Sequence, residues 1–247
     1  MAANINTDTT AAPLRASFSW RTALWIALAS LPLLLLWEAL GADYAVAKFI
    51  VGTASRFPLR EDAWLVRVLH DGGRMAAALG LVAQIVHACL TVQPGTPARA
   101  QRWFWVAMTL VGWIGVAWLK SRSLTSCPWE LAEFGGRALY VPHWQLGVRD
   151  GGPGRCFPSG HAMAGFAFFS LAFLWAPMQP RRALQFACAA ALAGTVFGIA
   201  QIFRGAHFVS HVAWSAWLCW TVFALVAAAR DLFVRSKLNR RKIEPVA

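Results

Sequence analysis

Six long apolar stretches constrain this chain more than any other feature: Trp20 to about Leu40, about Gly73 to Val92, Trp103 to Leu119, Pro158 to Trp175, Ala183 to Phe203 and Phe208 to Ala229. Each comes close to the ~20 residues of helix that cross a hydrocarbon core about 30 Å thick. In that medium every backbone N–H and C=O has to be paired inside the segment, which a helix does and an open sheet does not. The expected fold is an all-α integral membrane bundle of six helices. Composition agrees, with 58% hydrophobic and 14% charged residues, against about 25% charged in a soluble domain. A soluble enzyme and a disordered chain are both excluded. The formal net charge of +12 suits nucleic acid or an anionic membrane surface. Because the cations lie between apolar stretches, the membrane is the expected partner and nucleic acid is not. The first stretch exceeds the about 7–15 apolar residues of a cleaved signal peptide, so it reads as a retained span.

Cations near short loops set orientation. Arg15 and Arg21, Arg99 and Arg102, Arg181 and Arg182, and the group Arg230, Arg235, Lys237, Arg240, Arg241 and Lys242 all fall on one side of a six-span topology. That side is expected to be cytoplasmic. Residues 1–19 then form a cytoplasmic N-terminal segment, 20–229 the membrane domain and 230–247 a basic cytoplasmic tail. The longer loops 41–72 and 120–157 lie on the other side. Within the first of them, Asp62 to Asp71 places Trp64, Leu65, Val68 and Leu69 on one helical face. This suits an interfacial helix, or equally the polar first turn of a longer second span.

Three polar clusters end up on the non-cytoplasmic face. They are Lys120-Ser121-Arg122 after span three, Arg155 to His161 at the start of span four, and Arg204 to His211 between spans five and six. Each has a use for phosphate. Pro158 suits a helix start, and Ser159, Gly160 and His161 then occupy a first turn with free N–H groups and a favourable dipole. Gly160 lets an anion approach the backbone. Lys120, Arg122 and Arg204 supply positive charge, the arginines in bidentate form. Two histidines can divide a phosphoryl transfer, one as nucleophile and one as acid and then base. The scheme demands no metal or other cofactor, and the acidic clusters of a two-metal phosphatase are lacking.

At these residues the chain resembles the type 2 phosphatidic acid phosphatase family, whose pattern is Lys-x6-Arg-Pro, then Pro-Ser-Gly-His, then Ser-Arg-x5-His-x3-Asp. Pro158-Ser159-Gly160-His161 matches the second motif, Lys120 and Pro128 match the first, and His207 matches the third. Cys127, Gln201 and His211 stand where the family has Arg, Arg and Asp. The resemblance implies that His207 is the nucleophile and His161 the general acid, with Lys120, Ser159 and Gly160 binding phosphate. Arg204, one helical turn after Gln201, is placed to take over the missing arginine's role. Cys-Pro-Trp-Glu-Leu, Phe-Gly-Gly and Arg-Gly-Ala-His are similar to the branch of bacterial lipid A phosphatases. That likeness implies a bacterial inner-membrane protein with a periplasmic site, and lipid A as first substrate. The family Asp orients the nucleophilic His; here His211, or Glu130, Glu133 or Asp150 from the long loop, is the candidate for that task.

Of five cysteines, Cys89, Cys188 and Cys219 lie in apolar spans and read as packing residues. Cys127 and Cys156 share the outer loop, where an oxidising compartment would join them. His70 and His87 have no comparable setting, with His87 expected to be buried and hydrogen-bonded. His143, beside Trp144, is a candidate substrate contact. The aromatic residues read as interfacial belts and the glycines of loop 120–157 as turns. Two rivals to a lipid phosphatase stay open: a lipid phosphotransferase, and a non-catalytic phospholipid-binding or transport protein.

Overall fold

The computed structural model describes residues 18–145 and 147–243. Most of the expected N-terminal segment, including Arg15, lies outside them, as do the side chains of Arg240, Arg241 and Lys242. The fold is all-helical, with no strand among the described residues. Among the described residues, eight α-helices follow one another: α1 Trp20–Ala39, α2 Ala42–Val51, α3 Gly72–Cys89, α4 Arg99–Arg122, α5 Gly160–Phe166, α6 Phe169–Trp175, α7 Pro180–Phe203 and α8 Val209–Ile243. Four helices among the described residues are long and apolar enough to cross a membrane: α1, α4, α7 and the Val209–Asn239 part of α8. Their outer faces are apolar, with Trp25, Leu33, Ile114, Leu192 and Leu225 exposed. Such a surface belongs against lipid, since a soluble helix turns its apolar stripe inward.

Where the sequence indicated a continuous fourth span, the structure has two short helices, α5 and α6, meeting at Ala167 and Phe168. The turn is tightened by bonds from the Phe168 N–H to the Gly165 carbonyl and from the Ser170 N–H to the Ala167 carbonyl. The buried Ser170 hydroxyl pairs with Thr109 of α4 at 2.6 Å. Polar groups at this depth are held by neighbouring helices. The last helix, α8, runs to Ile243, so the basic tail continues the sixth span as helix. The segment before α3 is a π-helical stretch, Leu65–Asp71, that passes straight into Gly72. It is the start of a longer helix rather than a separate interfacial one.

Capping and packing follow from particular residues. Ser19 accepts the Thr22 N–H at the start of α1, and Pro180 opens α7 where its missing N–H costs nothing. Arg102 is 2% exposed and donates to the carbonyls of Pro97, His87 and Leu90. This cation, in the first turn of α4, is therefore a buried cap on the C-terminal end of α3. The main core gathers Trp105, Met163, Phe166, Phe173 and Phe223, with Trp105 stacked on Phe173 at 5.7 Å between ring centroids. A smaller core of Val51, Phe57, Leu131, Phe134 and Phe208 joins α2 and the 123–157 loop at the other end.

Helices α5 and α7 cross at two glycines. A Cβ on Gly165 would stand 2.2 Å from the Gly194 nitrogen, and one on Gly194 2.3 Å from the Phe166 ring. Close backbone approach of this kind needs glycine. Gly165→Ala should destabilise the protein by about 1–3 kcal/mol, the range for overpacking. Gly115→Ala, where a Cβ meets nothing within 4 Å, should not. Thermal unfolding in detergent compares them; equal midpoints for the two variants would refute the close crossing.

Candidate active site

The end of the bundle that gathers the C-terminal ends of α1, α4 and α7 with the N-terminal ends of α3, α5 and α8 carries the polar clusters. Ser159 is the N-cap of α5: its hydroxyl accepts the Ala162 N–H at 3.4 Å, its N–H donates to the His211 carbonyl, and its own carbonyl accepts from Ser215. Expected in the first turn, it is instead fully buried and tied to α8. Gly160 is the first helical residue. A Cβ added there would lie 3.9 Å from Lys120 Nζ, so the ammonium at the end of α4 sits over the start of α5.

The histidines meet here. The ring centroids of His161 and His207 are 6.0 Å apart, and those of His207 and His211 are 5.8 Å apart. His207 lies between α7 and α8 and is 2% exposed. Burial holds its imidazole well below the ordinary histidine range, and the positive Lys120 and the rings of His211 and His161 add to this. It is therefore neutral at physiological pH, as a nucleophile must be. A cavity of about 120 Å³ opens on His161 and is lined also by Leu69, His70, Arg74, Gly160 and Phe197. His207 does not line it.

Arg204 is 9% exposed. It donates through Nε to the Arg60 carbonyl at 3.0 Å and through Nη1 to Gln201 Oε1 at 3.1 Å. Gln201 thus braces the arginine one turn away. Arg122 is not brought to the histidines. It stacks over Trp118 at 5.1 Å and lines a separate outer cleft with Arg149 and Arg155. Two residues along a helix are about 200° around it, which turns Arg122 away from the side that Lys120 presents.

Three participants were missed by the sequence reading. His70, given no role, lies with its ring 4.3 Å from that of His161, and pairs with Asp71 at 2.8 Å. The π-helical stretch is what aims it, a common use of such bulges. Arg74, a turn further on, lines the same cavity. Asp43, on α2, accepts the Ser210 N–H at 2.9 Å, the Ser210 hydroxyl and the Trp37 indole. It caps α8 in trans, just past His207. An acidic residue in a mainly apolar segment, whose other charge is Lys48, was the available signal. His87, by contrast, belongs to the opposite end, beside Trp175, and its Nε2 has no partner among the described residues.

Cys127 and Cys156 are joined, with sulfurs 2.08 Å apart. Cys156 Sγ lies 3.6 Å from His207 Nδ1. Cys156, His207 and His211 could bring one ligand atom each to within 4.8 Å of one another. A disulfide sulfur is no thiolate, however, so these residues do not fit a metal centre while the bond is closed. Of the loop acids, Asp150 is taken up by Ser126 and the Gly152 N–H, and Glu133 is exposed. Neither contacts His207.

The family model of the PAP2 superfamily matches residues 101–235. This stretch holds Lys120, His161, Arg204, His207 and His211, and leaves out α1, α2 and the π-helical stretch. No curated protein and no solved structure matches the chain.

Proposed function

Since the chain belongs to the PAP2 superfamily, we propose that it is a membrane phosphatase that removes phosphate from a lipid phosphate monoester or pyrophosphate through a phospho-histidine. The observation that carries this reading is the 6.0 Å pairing of a buried, neutral His207 with His161 beside Lys120 and Arg204. A ring nitrogen of His207 attacks phosphorus, and the bond from phosphorus to the lipid oxygen breaks. His161 gives that oxygen its proton. Water, losing a proton to His161, then displaces His207 and phosphate leaves. Lys120, Gly160, Arg204 and the capped Ser159 hydroxyl neutralise charge on the transferring group.

The bilayer supplies the substrate. The cavity at His161 shares Ala164 and Phe197 with an apolar groove of about 460 Å³ along α3, α5 and α7, which supports a lipid whose tail stays in the membrane. In this reading α3 and the α5–α6 pair complete six spans, both termini are cytoplasmic, and the 120–157 loop with its disulfide faces a bacterial periplasm. Lipid A is the first substrate to test.

The purified protein in detergent, given lipid A and phosphatidate, should release inorganic phosphate with each substrate it accepts. Lys120→Met should lower kcat/KM by about 100-fold or more, the scale of losing a charge-stabilising donor. Arg122→Gln should change it by less than about threefold, as for an exposed surface cation. Equal losses for the two variants would refute the distinction between their positions. Lipid products carrying a transferred phosphate, in place of free phosphate, would favour a phosphotransferase.

A further inference from the structure

We propose that Glu38, in the last turn of α1, supplies the carboxylate that fixes the nucleophilic histidine, acting as a positioning residue through His143 and His211. The proposal rests on the reading of His207 as nucleophile. Position 211, four residues after His207, carries an imidazole, which accepts a hydrogen bond more weakly than a carboxylate does. Of the buried acids at this end, Asp43 is occupied by Ser210 and Trp37, and Asp150 by Ser126 and Gly152. Glu38 is the buried acid that meets a site histidine, whereas the acid beside His70 is the exposed Asp71. The Glu38 side chain is 7% exposed, and Oε1 lies 3.1 Å from His143 Nε2.

The protons follow from the donors. Trp214 Nε1 also bonds Glu38 Oε1, and an indole N–H only donates. Glu38 is therefore an acceptor, and His143 presents its Nε2–H to it. That leaves His143 Nδ1 bare. The His143 ring lies flat on Phe157, with centroids 3.8 Å apart and planes 12° apart, and meets His211 edge-on at 5.8 Å. His211 Nδ1 is buried and has no hydrogen-bond partner among the described residues, an expensive condition for a polar atom. A cavity of about 10 Å³ lies among Glu38, Asp43, Tyr140, His143 and His211, which is room for a single bridging water. Such a water would join His211 Nδ1 to His143. One ring nitrogen of His211 lies within 4.8 Å of one of His207. The His211 ring packs against that of His207, with centroids 5.8 Å apart, while His207 Nδ1 faces Cys156 Sγ at 3.6 Å, so His211 sets the orientation of the nucleophile. The negative charge thus enters from α1, outside the 101–235 stretch of the family model.

The test uses the full chain in detergent with short-chain phosphatidate as probe. Glu38→Gln keeps an acceptor for Trp214 and removes only the charge. It and His143→Gln should each lower kcat by about 10- to 100-fold, the scale for outer partners of a functional histidine, with little change in KM. The double variant should be no worse than either single one. His211→Asp puts a carboxylate directly beside His207, and in that background Glu38→Gln should cost less than about threefold. Unchanged kcat in Glu38→Gln, multiplying losses in the double variant, or the same loss in both backgrounds would each overturn the proposal. If His211→Asp does not fold, the Glu38 and His143 pair decides alone. A wild-type chain that releases no phosphate overturns the phosphatase reading and this proposal with it, whereas an active wild type with a fully active Glu38→Gln variant overturns the positioning chain alone.

Discussion

Replacing His207 with alanine should abolish phosphate release, with a fall in kcat of about 10⁴-fold or more, as when a covalent nucleophile is lost. His161→Ala should be nearly as damaging with a lipid phosphate, because the leaving alkoxide needs a proton. The two losses should separate with p-nitrophenyl phosphate, whose leaving group departs unprotonated. That substrate should still phosphorylate the His161→Ala variant, and phospho-enzyme should accumulate because no base remains to activate water. The His207→Ala variant should form none. Mass spectrometry of acid-labile phosphate on the protein reads both outcomes. Phospho-enzyme in the His207→Ala variant would remove His207 from the nucleophile's place. The burial that holds His207 neutral also sets the pH response. Its folded form resists protonation below the ordinary value of 6.5, so His207 should not impose an acid limb on kcat/KM near that pH.

Opening the Cys127–Cys156 bond should have the largest effect on stability. It closes a loop with a sequence separation of 29, and the chain-entropy account assigns about 3–4 kcal/mol to a loop of that length. Reduction, or Cys127→Ser, should lower the unfolding midpoint in detergent by several degrees. Activity should fall as well, because Cys156 lies against His207 and Cys127 precedes the short helix that carries Trp129 under Arg204. Reoxidation of the reduced wild type should restore both, whereas Cys127→Ser should respond to neither treatment. A midpoint unmoved by reduction would show that the loop is held by its other contacts, chiefly Asp150 with Ser126.

Much of this was legible in the residues. Apolar length gave α1, α4, α7 and most of α8, because a membrane helix advertises itself by run length alone. Pro-Ser-Gly-His marked the start of α5, and the spacing to Lys120 and His207 brought three distant segments together. The α5–α6 turn was not legible, since Ala167 and Phe168 are as apolar as their neighbours and the turn is stabilised by Ser170 reaching α4. Ser159 was placed a residue too far into the helix. Arg122 was grouped with Lys120 by nearness in sequence, although helical rotation separates them. The links from His70 to His161 and from Glu38 to His143 join segments far apart in the chain, and no local pattern announces such pairs.

On the function proposed above, the opening at α3 has a consequence for turnover. The cavity at His161 and the groove beside it meet at Ala164 and Phe197, so a bound headgroup has oil on one flank and water above. The two products then part in different directions, the dephosphorylated amphiphile sliding sideways into the leaflet and the small anion rising along the bundle axis. Neither has to wait for the other's doorway to clear.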